Sequence, residues 1–450
     1  MMSALNDVRL QRRYESIVAA MTKAPDQSFP RALGDEAALE GAYRFLNNER
    51  VEWQALLAQI VSGTVDRLTA VASAYAIHDS TMFMLGGEAA RGDIGSLDGK
   101  GPSFLGHFAI AVSADERAEV LGVLGIEPVF RPDGPRRTKE HWRARHRNPE
   151  KESLRWLRMV DVVGSVVQRR DQVIHLMDSE GDSFELLSHL IAAGDRFVIR
   201  GTANRVLSTD EKMTDALAKV DAVVCRPVPI SARTKVACRG RKDSHTSREG
   251  RVAKLQIRAA TMSIRRPDRM PHLPQTIALN LVHVFEVECP AGVEPVDWRL
   301  YTTEPIETPA EALAVVDHYR RRWVVEEFFK ALKTGCSYEK RQLETRRALL
   351  NALALLSPIA ATLVGLRSES RNDIGPTTTL TAKQIAVLRA VSRRPLPANP
   401  TGRQVMLAVA ALGGHIKNNG DPGWLVLGRG LTDLLAYELG WDARERSDQS

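Results

Sequence analysis

The segment Tyr319-Arg-Arg-Arg-Trp-Val-Val-Glu-Glu-Phe-Phe-Lys-Ala-Leu-Lys333 carries the strongest structural signal in this chain. A helix turns by about 100° per residue, so Tyr319, Arg322 and Lys333 would project to the same side as Glu326. Apolar residues gather on a separate stripe that can face a core, namely Leu313, Val316, Val324, Phe328 and Ala331. The pattern predicts one helix with a packed face and a second face that carries a phenol, a guanidinium, a carboxylate and an ammonium.

Two interpretations of that second face stay open at this point. Polar groups of these four kinds suit a site that holds a metal ion against a phosphate. Charged faces with ion pairs between residues i and i+4 are also common on solvated helices. The helix alone does not decide between a binding site and a solvated face.

Positive charge is concentrated in one part of the chain. The 450 residues carry a net charge of +7, while residues 231–270 alone hold twelve Lys or Arg and three acids, a net +9. A second basic run extends from Arg131 to Arg147. Clustered positive charge favours a partner with a phosphate backbone, so nucleic acid is the expected partner. A solvated basic loop is the alternative.

Cysteine use and hydropathy exclude several classes of protein. The four cysteines show no C-x-x-C spacing, so neither a zinc site nor a disulfide framework is expected, and a cytoplasmic location fits. They are Cys225, Cys238, Cys289 and Cys336. No signal-peptide pattern opens the sequence. The uncharged stretch Ala348–Leu366 approaches the length of a membrane span, but Pro358 and many alanines favour a helix buried in a protein core.

The order of sequence patterns predicts a mixed α/β chain. Residues 1–68 are expected to be helical, and strands begin near residue 70. The expected strands are Ala74–Ile77, His107–Val112, Ala118–Ile126, Gln172–Met177 and Arg196–Arg200, followed by a strand-rich stretch at about 205–303. The expected helices are Phe184–Ala193, a long helix from Pro309, and a broken helical tail over Ala382–Trp441. Residues 367–380 are polar and predict a linker.

Three carboxylates are candidates for one metal site. Asp79 and Asp178 each follow an apolar run, and functional groups emerge at strand ends in an open sheet. Glu326 would come from the long helix. Hard cations such as Mg²⁺ bind carboxylate oxygens and keep waters for a phosphate, and two ions about 4 Å apart stabilise both oxygens of an in-line phosphoryl displacement. Either aspartate is also an ordinary turn residue or cap, and Asp178 has the helix near Ser183 to cap.

The spacing Tyr319-x-x-Arg322-x-x-x-Glu326-x-x-x-x-x-x-Lys333 matches the Y-(2)-R-(3)-E-(6)-K signature of one family. By this motif the chain resembles the DDE transposases of bacterial insertion sequences, in the Tn-five-like group. Other segments that resemble the family are Glu40–Phe45, Ile77–Thr81, Asp178–Asp182, Trp298–Pro305, Leu412–Gly414 and Pro422–Trp424.

The resemblance implies an α/β fold with a ribonuclease-H-like, mixed-sheet catalytic core at residues 69–367 and a β-rich insertion at about 205–303. It implies a helical DNA-binding region at residues 1–68 and a helical dimerisation region at residues 368–450. It also implies cut-and-paste transposition. A transposon end is nicked, its 3′-OH attacks the opposite strand to form a hairpin, and the reopened end is transferred to target DNA.

The resemblance also implies a role for each site residue. Asp79, Asp178 and Glu326 would be the catalytic ligands of Mg²⁺, as two ions for which Mn²⁺ can substitute. The residues that would contact DNA are Tyr319, Arg322 and Lys333 at the end phosphate, Trp298 at an extruded base, and Arg200 and Arg205 at the backbone. Trp298 stacks on DNA in this interpretation, and a core position is its alternative.

The implied partners are double-stranded DNA with terminal inverted repeats, target DNA and a second copy of the chain in a synaptic complex, with no membrane. Two features depart from the family. Leu5–Arg13 resembles a segment that relatives place after another helix, so part of the DNA-binding region is expected to be absent. His78 stands where relatives have an acidic or amide residue, and it is expected to be a neutral neighbour of the site.

Two other functions stay open. One is a non-cleaving, dimeric DNA-binding regulator, which the late start of the DNA-binding region favours and the three acids disfavour. The other is a nuclease with the same core that does not perform strand transfer.

Overall fold

The computed structural model describes residues 7–23, 27–86, 93–97, 101–131, 151–230, 249–372, 377–392, 395–416 and 420–448. The chain divides into two compact units. Unit 1 comprises Met1–Gln172 and Trp323–Ser450, and unit 2 comprises Val173–Arg322. The predicted domain boundaries near residues 68 and 367 differ from the boundaries of these two units, and the predicted domain division stays a prediction.

The chain contains both helices and strands and is a mixed α/β protein. The helices are α1 (Val8–Lys23), α2 (Phe29–Leu33), α3 (Glu36–Asn47), α4 (Trp53–Thr69), α5 (Arg155–Val166), α6 (Phe184–Ala193), α7 (Met213–Ala218), α8 (Pro309–Arg321), α9 (Trp323–Lys330), α10 (Arg346–Asn372), α11 (Ala382–Val391), α12 (Gly402–Leu412) and α13 (Trp424–Asp448). The strands are β1 (Ala74–Met84), β2 (Ser103–Ser113), β3 (Val120–Val129), β4 (Val173–Met177), β5 (Arg196–Gly201), β6 (Val224–Ile230), β7 (Arg251–Arg265), β8 (Thr276–Val287) and β9 (Asp297–Thr302).

Unit 1 is built on three antiparallel strands in the order β3-β2-β1. Helices α4 and α10 pack against β3, and α9 packs against β1. Asn351 of α10 donates hydrogen bonds to the carbonyls of Leu46 at 2.9 Å and Val51 at 3.3 Å, which joins this helix to the N-terminal helices.

Helix α10 is a core helix, as the sequence predicted. It is the one described helix that is long and apolar enough to cross a membrane, and 89% of its most apolar window is buried in the structure. The helix continues to Asn372, so the linker predicted from residue 367 begins too early. Helix propensity and the burial of its last turns extend the helix past the apolar run.

Unit 2 contains a mixed sheet in the order β4-β5-β9-β8-β7-β6. Strands β4 and β5 are parallel, and the other neighbours are antiparallel. The strand-rich stretch predicted over about 205–303 is present, with the short helix α7 as an unpredicted addition. Helix α8 packs on the strands of this unit. A capping box of Thr308 and Glu311 starts α8 beside Pro309, as helix-start signals predict.

The long helix predicted from Pro309 through Lys333 is not continuous. Helix α8 ends at Arg321, and the N–H of Arg322 donates to the carbonyl of Tyr319 at 3.0 Å in a tight turn. After α9, residues Ala331–Gly335 form a π-helix, which winds more widely than an α-helix. The prediction of one continuous α-helix is therefore wrong, because the helix is interrupted at Arg322 and widens to a π-helix from Ala331.

Two further predictions need correction. Asp79 does not end a strand, because β1 continues to Met84 through its pairing with β2. Residues Arg251–Arg265 form strand β7, so the alternative of a solvated basic loop is wrong for this part of the cluster. Its charges are largely paired: Arg251 with Glu286 at 2.7 Å, Lys254 with Glu288 at 3.0 Å, and Arg265 with Asp210. Three of the six described cations of the basic cluster are thus paired with local acids.

Several predicted features lie outside the described residues. They are Cys238, the cations of residues 231–248, and the basic run beyond Arg131. The other three cysteines, Cys225, Cys289 and Cys336, are free thiols.

Candidate functional site

Asp79 and Glu326 lie on adjoining surfaces of unit 1. Asp79 is directly opposite Phe108 in the register of β1 and β2, so both side chains lie on one face. The ring of Phe108 packs edge-on against Phe328 and Phe329 of α9, with centroids 5.5 Å apart in each case. Glu326 precedes Phe329 by three residues and shares its side of α9. Asp79 therefore lies on the face of β1 that the helix carrying Glu326 covers.

Lys333 is anchored to the same strand. Its Nζ donates to the carbonyl of Met82 at 2.6 Å and lies 3.4 Å from Glu339. The ammonium is also 5.4 Å from the centroid of the Phe83 ring. About a quarter of the side chain (27%) is exposed. Unit 1 thus brings Asp79, Glu326 and Lys333 onto one strand and the helical segment packed against it.

A hydrogen-bonded network adjoins Asp79 through the next residue, Ser80. The Ser80 N–H donates to Asp79 Oδ1 at 2.7 Å, and Ser80 Oγ accepts from Arg155 Nε at 3.0 Å. The same Oγ lies 2.9 Å from His107 Nδ1. Arginine can only donate, so Ser80 Oγ accepts from Arg155, and the Ser80 hydroxyl and the His107 Nδ1 share a second hydrogen bond. Ser80, Arg155 and His107 therefore fix the backbone that presents Asp79.

His107 is held neutral by its surroundings. Burial lowers the pKa of His107 well below its usual value, and the nearby Arg155 and Arg158 lower it further. Its ring meets Trp156 edge-on, with centroids 4.5 Å apart. His78 is also fully buried, with its ring centroid 6.1 Å from that of His107. The expectation that His78 is a neutral neighbour stays a prediction.

In unit 2, Asp178 directly follows β4, as the sequence predicted. Its side chain accepts the Glu180 N–H at 2.9 Å within a single 3₁₀ turn. Helix α6 is capped instead by Ser183, whose hydroxyl accepts the Leu186 N–H at 3.1 Å. The alternative that Asp178 caps α6 is therefore wrong, and the half-buried Asp178 carboxylate has only a short turn to stabilise.

Tyr319 is buried against Trp298, with ring centroids 5.6 Å apart and planes at 66°. Burial raises the pKa of the Tyr319 phenol, and Asp178 raises it further, while Arg322 and Arg200 lower it. The phenol is thus a neutral O–H that can donate a hydrogen bond. Because Asp178, Arg200 and Arg322 all act on this phenol, the predicted residues of unit 2 form one neighbourhood. Trp298 is half-buried, which leaves part of its ring accessible.

Arg205 has a structural place in unit 2. It forms an ion pair with Asp182, and the two side chains are only 9% and 1% exposed. Asp182 also accepts the N–H groups of Thr202 at 2.7 Å and Ala203 at 2.9 Å. The Arg205 guanidinium lies 5.7 Å from the centroid of Tyr301. This buried ion pair is a structural alternative to the expected contact of Arg205 with the DNA backbone, which stays a prediction.

Apart from Arg205, the predicted site residues are distributed over both units. Unit 1 carries Asp79, Glu326 and Lys333, and unit 2 carries Asp178, Arg200, Trp298, Tyr319 and Arg322. Among the residues whose placement is described, no three His, Cys, Asp or Glu side chains form a group that could hold a metal ion. The donors themselves are chemically suited to a hard cation, since carboxylate oxygens are the ligands that Mg²⁺ prefers.

The sequence analysis did not identify Ser80, Arg155 or His107 as site residues. Ser80 had a usable signal, because it directly follows Asp79. Arg155 and His107 had none, since they reach Ser80 only through contacts across 75 and 27 residues of sequence.

Two family matches bear on this site. Residues 2–51 match the family described as "Transposase DNA-binding". Residues 127–363, more than half of the chain, match "Transposase DDE domain". The second match contains Asp178 and the whole Tyr319–Lys333 signature, and Asp79 lies between the two matched ranges. The mixed α/β fold is consistent with the ribonuclease-H-like architecture of a DDE domain. The chain therefore belongs to the DDE transposase family and carries a transposase DNA-binding domain at its N-terminal end.

Proposed function

We propose that this transposase catalyses metal-dependent cut-and-paste transposition of an insertion sequence, with the active-site assignment of the Tn-five-like signature group. The observation that carries the proposal is the shared surface of Asp79 and Glu326, which are 247 positions apart in sequence and are brought together by the packing of α9 on β1. Both side chains offer carboxylate oxygens, which are the ligands that Mg²⁺ prefers. A divalent cation is therefore a ligand that suits this surface.

Asp79, Asp178 and Glu326 are the proposed metal ligands, with Mg²⁺ as two ions and Mn²⁺ as a substitute. When bound, the ions neutralise charge on the reacting phosphate and favour ionisation of the attacking hydroxyl or water. The hydrogen bond from Ser80 N–H to Asp79 Oδ1 orients the Asp79 carboxylate. The support is the donor chemistry and the position of Asp178 at the end of β4 in the matched DDE range.

Tyr319, Arg322 and Lys333 are the proposed contacts to the phosphate of the transposon end. The neutral phenol of Tyr319 donates one hydrogen bond. Arg322 donates two in a planar fork, and Lys333 contributes a point charge. Arg200 adds positive charge in the neighbourhood of the Tyr319 phenol. Catalysis then rests on positioning and charge neutralisation, which together account for most of the barrier reduction in phosphoryl transfer.

Each proposed step exchanges one phosphorus–oxygen bond for another. Water attacks the phosphate at the transposon end, and the displaced 3′-oxygen takes up a proton as the nick forms. The freed 3′-OH attacks the opposite strand and yields a hairpin, which a second water opens. The 3′-OH then attacks target DNA in strand transfer. Trp298 stacks on a base extruded while the hairpin forms, where its half-exposed ring replaces lost base stacking.

The proposed assembly is a homodimer that holds two inverted-repeat ends in a synaptic complex in the cytoplasm, with the C-terminal helices as the dimer contact. Tyr437 and Trp441 support this choice, because they lie one turn apart on α13 and are 49% and 40% exposed. Aromatic residues exposed in this way are enriched at protein interfaces.

A non-cleaving regulator is the second candidate function. It is favoured by the finding that the described residues contain no metal-ready group of three ligands. It is disfavoured by the retention of all three acids, which a protein that only binds ends does not need. A nuclease without strand transfer is the third outcome that the experiment must distinguish.

One assay separates these functions. Purified protein is incubated with Mg²⁺ and a labelled duplex that carries an inverted-repeat end and flanking DNA. Excised ends with hairpins support transposition, whereas nicks without hairpins indicate a nuclease. Binding without cleavage, measured at several salt concentrations, indicates the regulator. Asp79→Asn and Asp178→Asn, purified identically, serve as controls for contaminating nucleases and must abolish cleavage if both acids bind the metal.

A further inference from the structure

Unit 1 contains a basic groove that includes none of the proposed active-site residues. It has a volume of about 340 Å³, and no carboxylate is among its lining side chains. Four cations line it: Arg31, Lys340, Arg341 and Arg429. Three of them, Arg31, Lys340 and Arg429, are exposed to solvent, and Arg341 is buried.

Three distant segments of the chain build the groove. Arg31 comes from α2, within the range that matches the transposase DNA-binding family. Lys340 comes from the short 3₁₀ helix Tyr338–Lys340, within the range that matches the DDE domain. Arg429 comes from α13. The groove therefore lies where the DNA-binding range, the catalytic range and the C-terminal helix of unit 1 meet.

The buried Arg341 fixes two of these walls together. It is 2% exposed, and its guanidinium donates to the carbonyl of Cys336 at 2.7 Å and to the carbonyl of Gln27. It also lies 5.1 Å from the centroid of the Phe29 ring. A buried guanidinium held by neutral carbonyls keeps its full positive charge next to the groove. The groove is thus positively charged, since its lining residues include four cations and no carboxylate.

We propose that this groove binds a backbone phosphate of duplex DNA. Three exposed cations around one concavity attract the negative charge of a phosphodiester, and Arg can contact it bidentately. The Ser28 hydroxyl, which also lines the groove, is a further donor. The inference rests on the DNA partnership of the proposed function and not on its chemistry. A phosphate held here couples the DNA-binding segment to the catalytic segment on one duplex.

The test is the salt dependence of DNA binding. Each phosphate contact contributes about 0.9 to the slope of log K against log salt concentration. We expect Arg31→Gln and Lys340→Gln each to reduce that slope by about 1, and Lys340→Glu to weaken binding further through repulsion. Lys219→Gln is the matched control, because Lys219 is an exposed cation of unit 2 that is already paired with Glu211 at 2.6 Å.

Two DNA duplexes distinguish a phosphate contact from base recognition. One carries the inverted repeat, and the other has a scrambled sequence. A phosphate contact is independent of sequence, so the expected loss of slope is the same for both duplexes. Slopes that match the Lys219→Gln control would overturn the proposal. Weakening confined to the inverted repeat, with an unchanged slope, would indicate base recognition and would overturn it as well.

The result is independent of catalysis. Binding is measured without divalent metal, so a protein that fails to cleave still reports the slope. Arg31 and Lys340 are exposed, so both Gln variants are expected to keep the wild-type urea midpoint. Wild-type protein that binds neither duplex would refute the DNA partnership itself, a different outcome from an unchanged slope in the variants.

Discussion

Replacing Arg205 by Met removes the partner of a carboxylate that is almost wholly inside unit 2. Breaking a buried ion pair by removing one member costs about 3–5 kcal/mol, because the other charge is left uncompensated. Asp182 is 1% exposed, so water cannot replace the guanidinium. It keeps the N–H donors of Thr202 and Ala203, and charge-assisted bonds of this kind stabilise a carboxylate. We therefore expect the lower end of the range, about 3 kcal/mol.

A double-mutant cycle measures this pair. Urea unfolding is followed for Arg205→Met, Asp182→Asn and the double variant. The double variant should lose less than the sum of the single losses, with a coupling energy of about 1–3 kcal/mol. The salt slope of DNA binding should stay at the wild-type value. A loss below about 1 kcal/mol, together with a slope reduced by about 1, would refute the structural role and restore Arg205 as a phosphate contact.

Three other predictions test the site. Trp298→Ala should slow hairpin formation more than the first nick, whereas Trp298→Phe should retain most of the rate; equal slowing of both steps would indicate a structural tryptophan. Tyr319→Phe keeps the ring packed but removes the phenol O–H, so end cleavage should fall about tenfold at unchanged stability; an unchanged cleavage rate would remove Tyr319 from the phosphate site. Because the folded-state pKa of His107 is lowered, the unfolded chain binds the proton first, and stability should fall below about pH 6.5 by up to about 1.4 kcal/mol per pH unit. His107→Asn keeps a hydrogen-bonding group for Ser80 and should flatten this dependence, and parallel curves for the variant and the wild type would contradict the assignment.

Elements defined by local sequence were predictable. Helix α6 is found at the predicted residues Phe184–Ala193, because Ser183 caps its start and Gly194 ends it with a φ of 70°. Strand β4 was also predicted to within one residue, since its apolar run is buried throughout. In both cases the signals that start and stop the element are adjacent in sequence.

Elements defined by tertiary contact were not predictable to the same extent. The apolar run of β1 ends at Ile77, but the strand continues because residues up to Met84 pair with β2. The break after α8 and the π-helix at Ala331–Gly335 have no proline or glycine cluster to announce them. Strand β7 lies in the stretch that was predicted to be strand-rich, but the pairing of its cations with acids such as Glu286 of β8 could not be predicted from local sequence.

The candidate site likewise combines features set by local sequence with features set by tertiary contacts. The signature residues could be singled out because their type and spacing are local properties of one segment. Their surroundings could not. Burial of Tyr319 against Trp298 depends on how α8 packs on the sheet of unit 2. The Arg155–Ser80–His107 network depends on the pairing of β1 with β2 and on the position of α5.

Two adjacent glutamates provide the most direct test of the central claim, that Glu326 is a metal ligand in a DNA-cleaving transposase. Glu327 faces the other way on α9 and pairs with Arg371 at 2.7 Å, with 10% of its side chain exposed. Mg²⁺-dependent cleavage of a labelled inverted-repeat end is compared for Glu326→Gln and Glu327→Gln. We predict that Glu326→Gln abolishes cleavage but keeps DNA binding, while Glu327→Gln lowers the free energy of unfolding and still cleaves. Mg²⁺-dependent cleavage by folded Glu326→Gln protein at the wild-type rate would contradict the account.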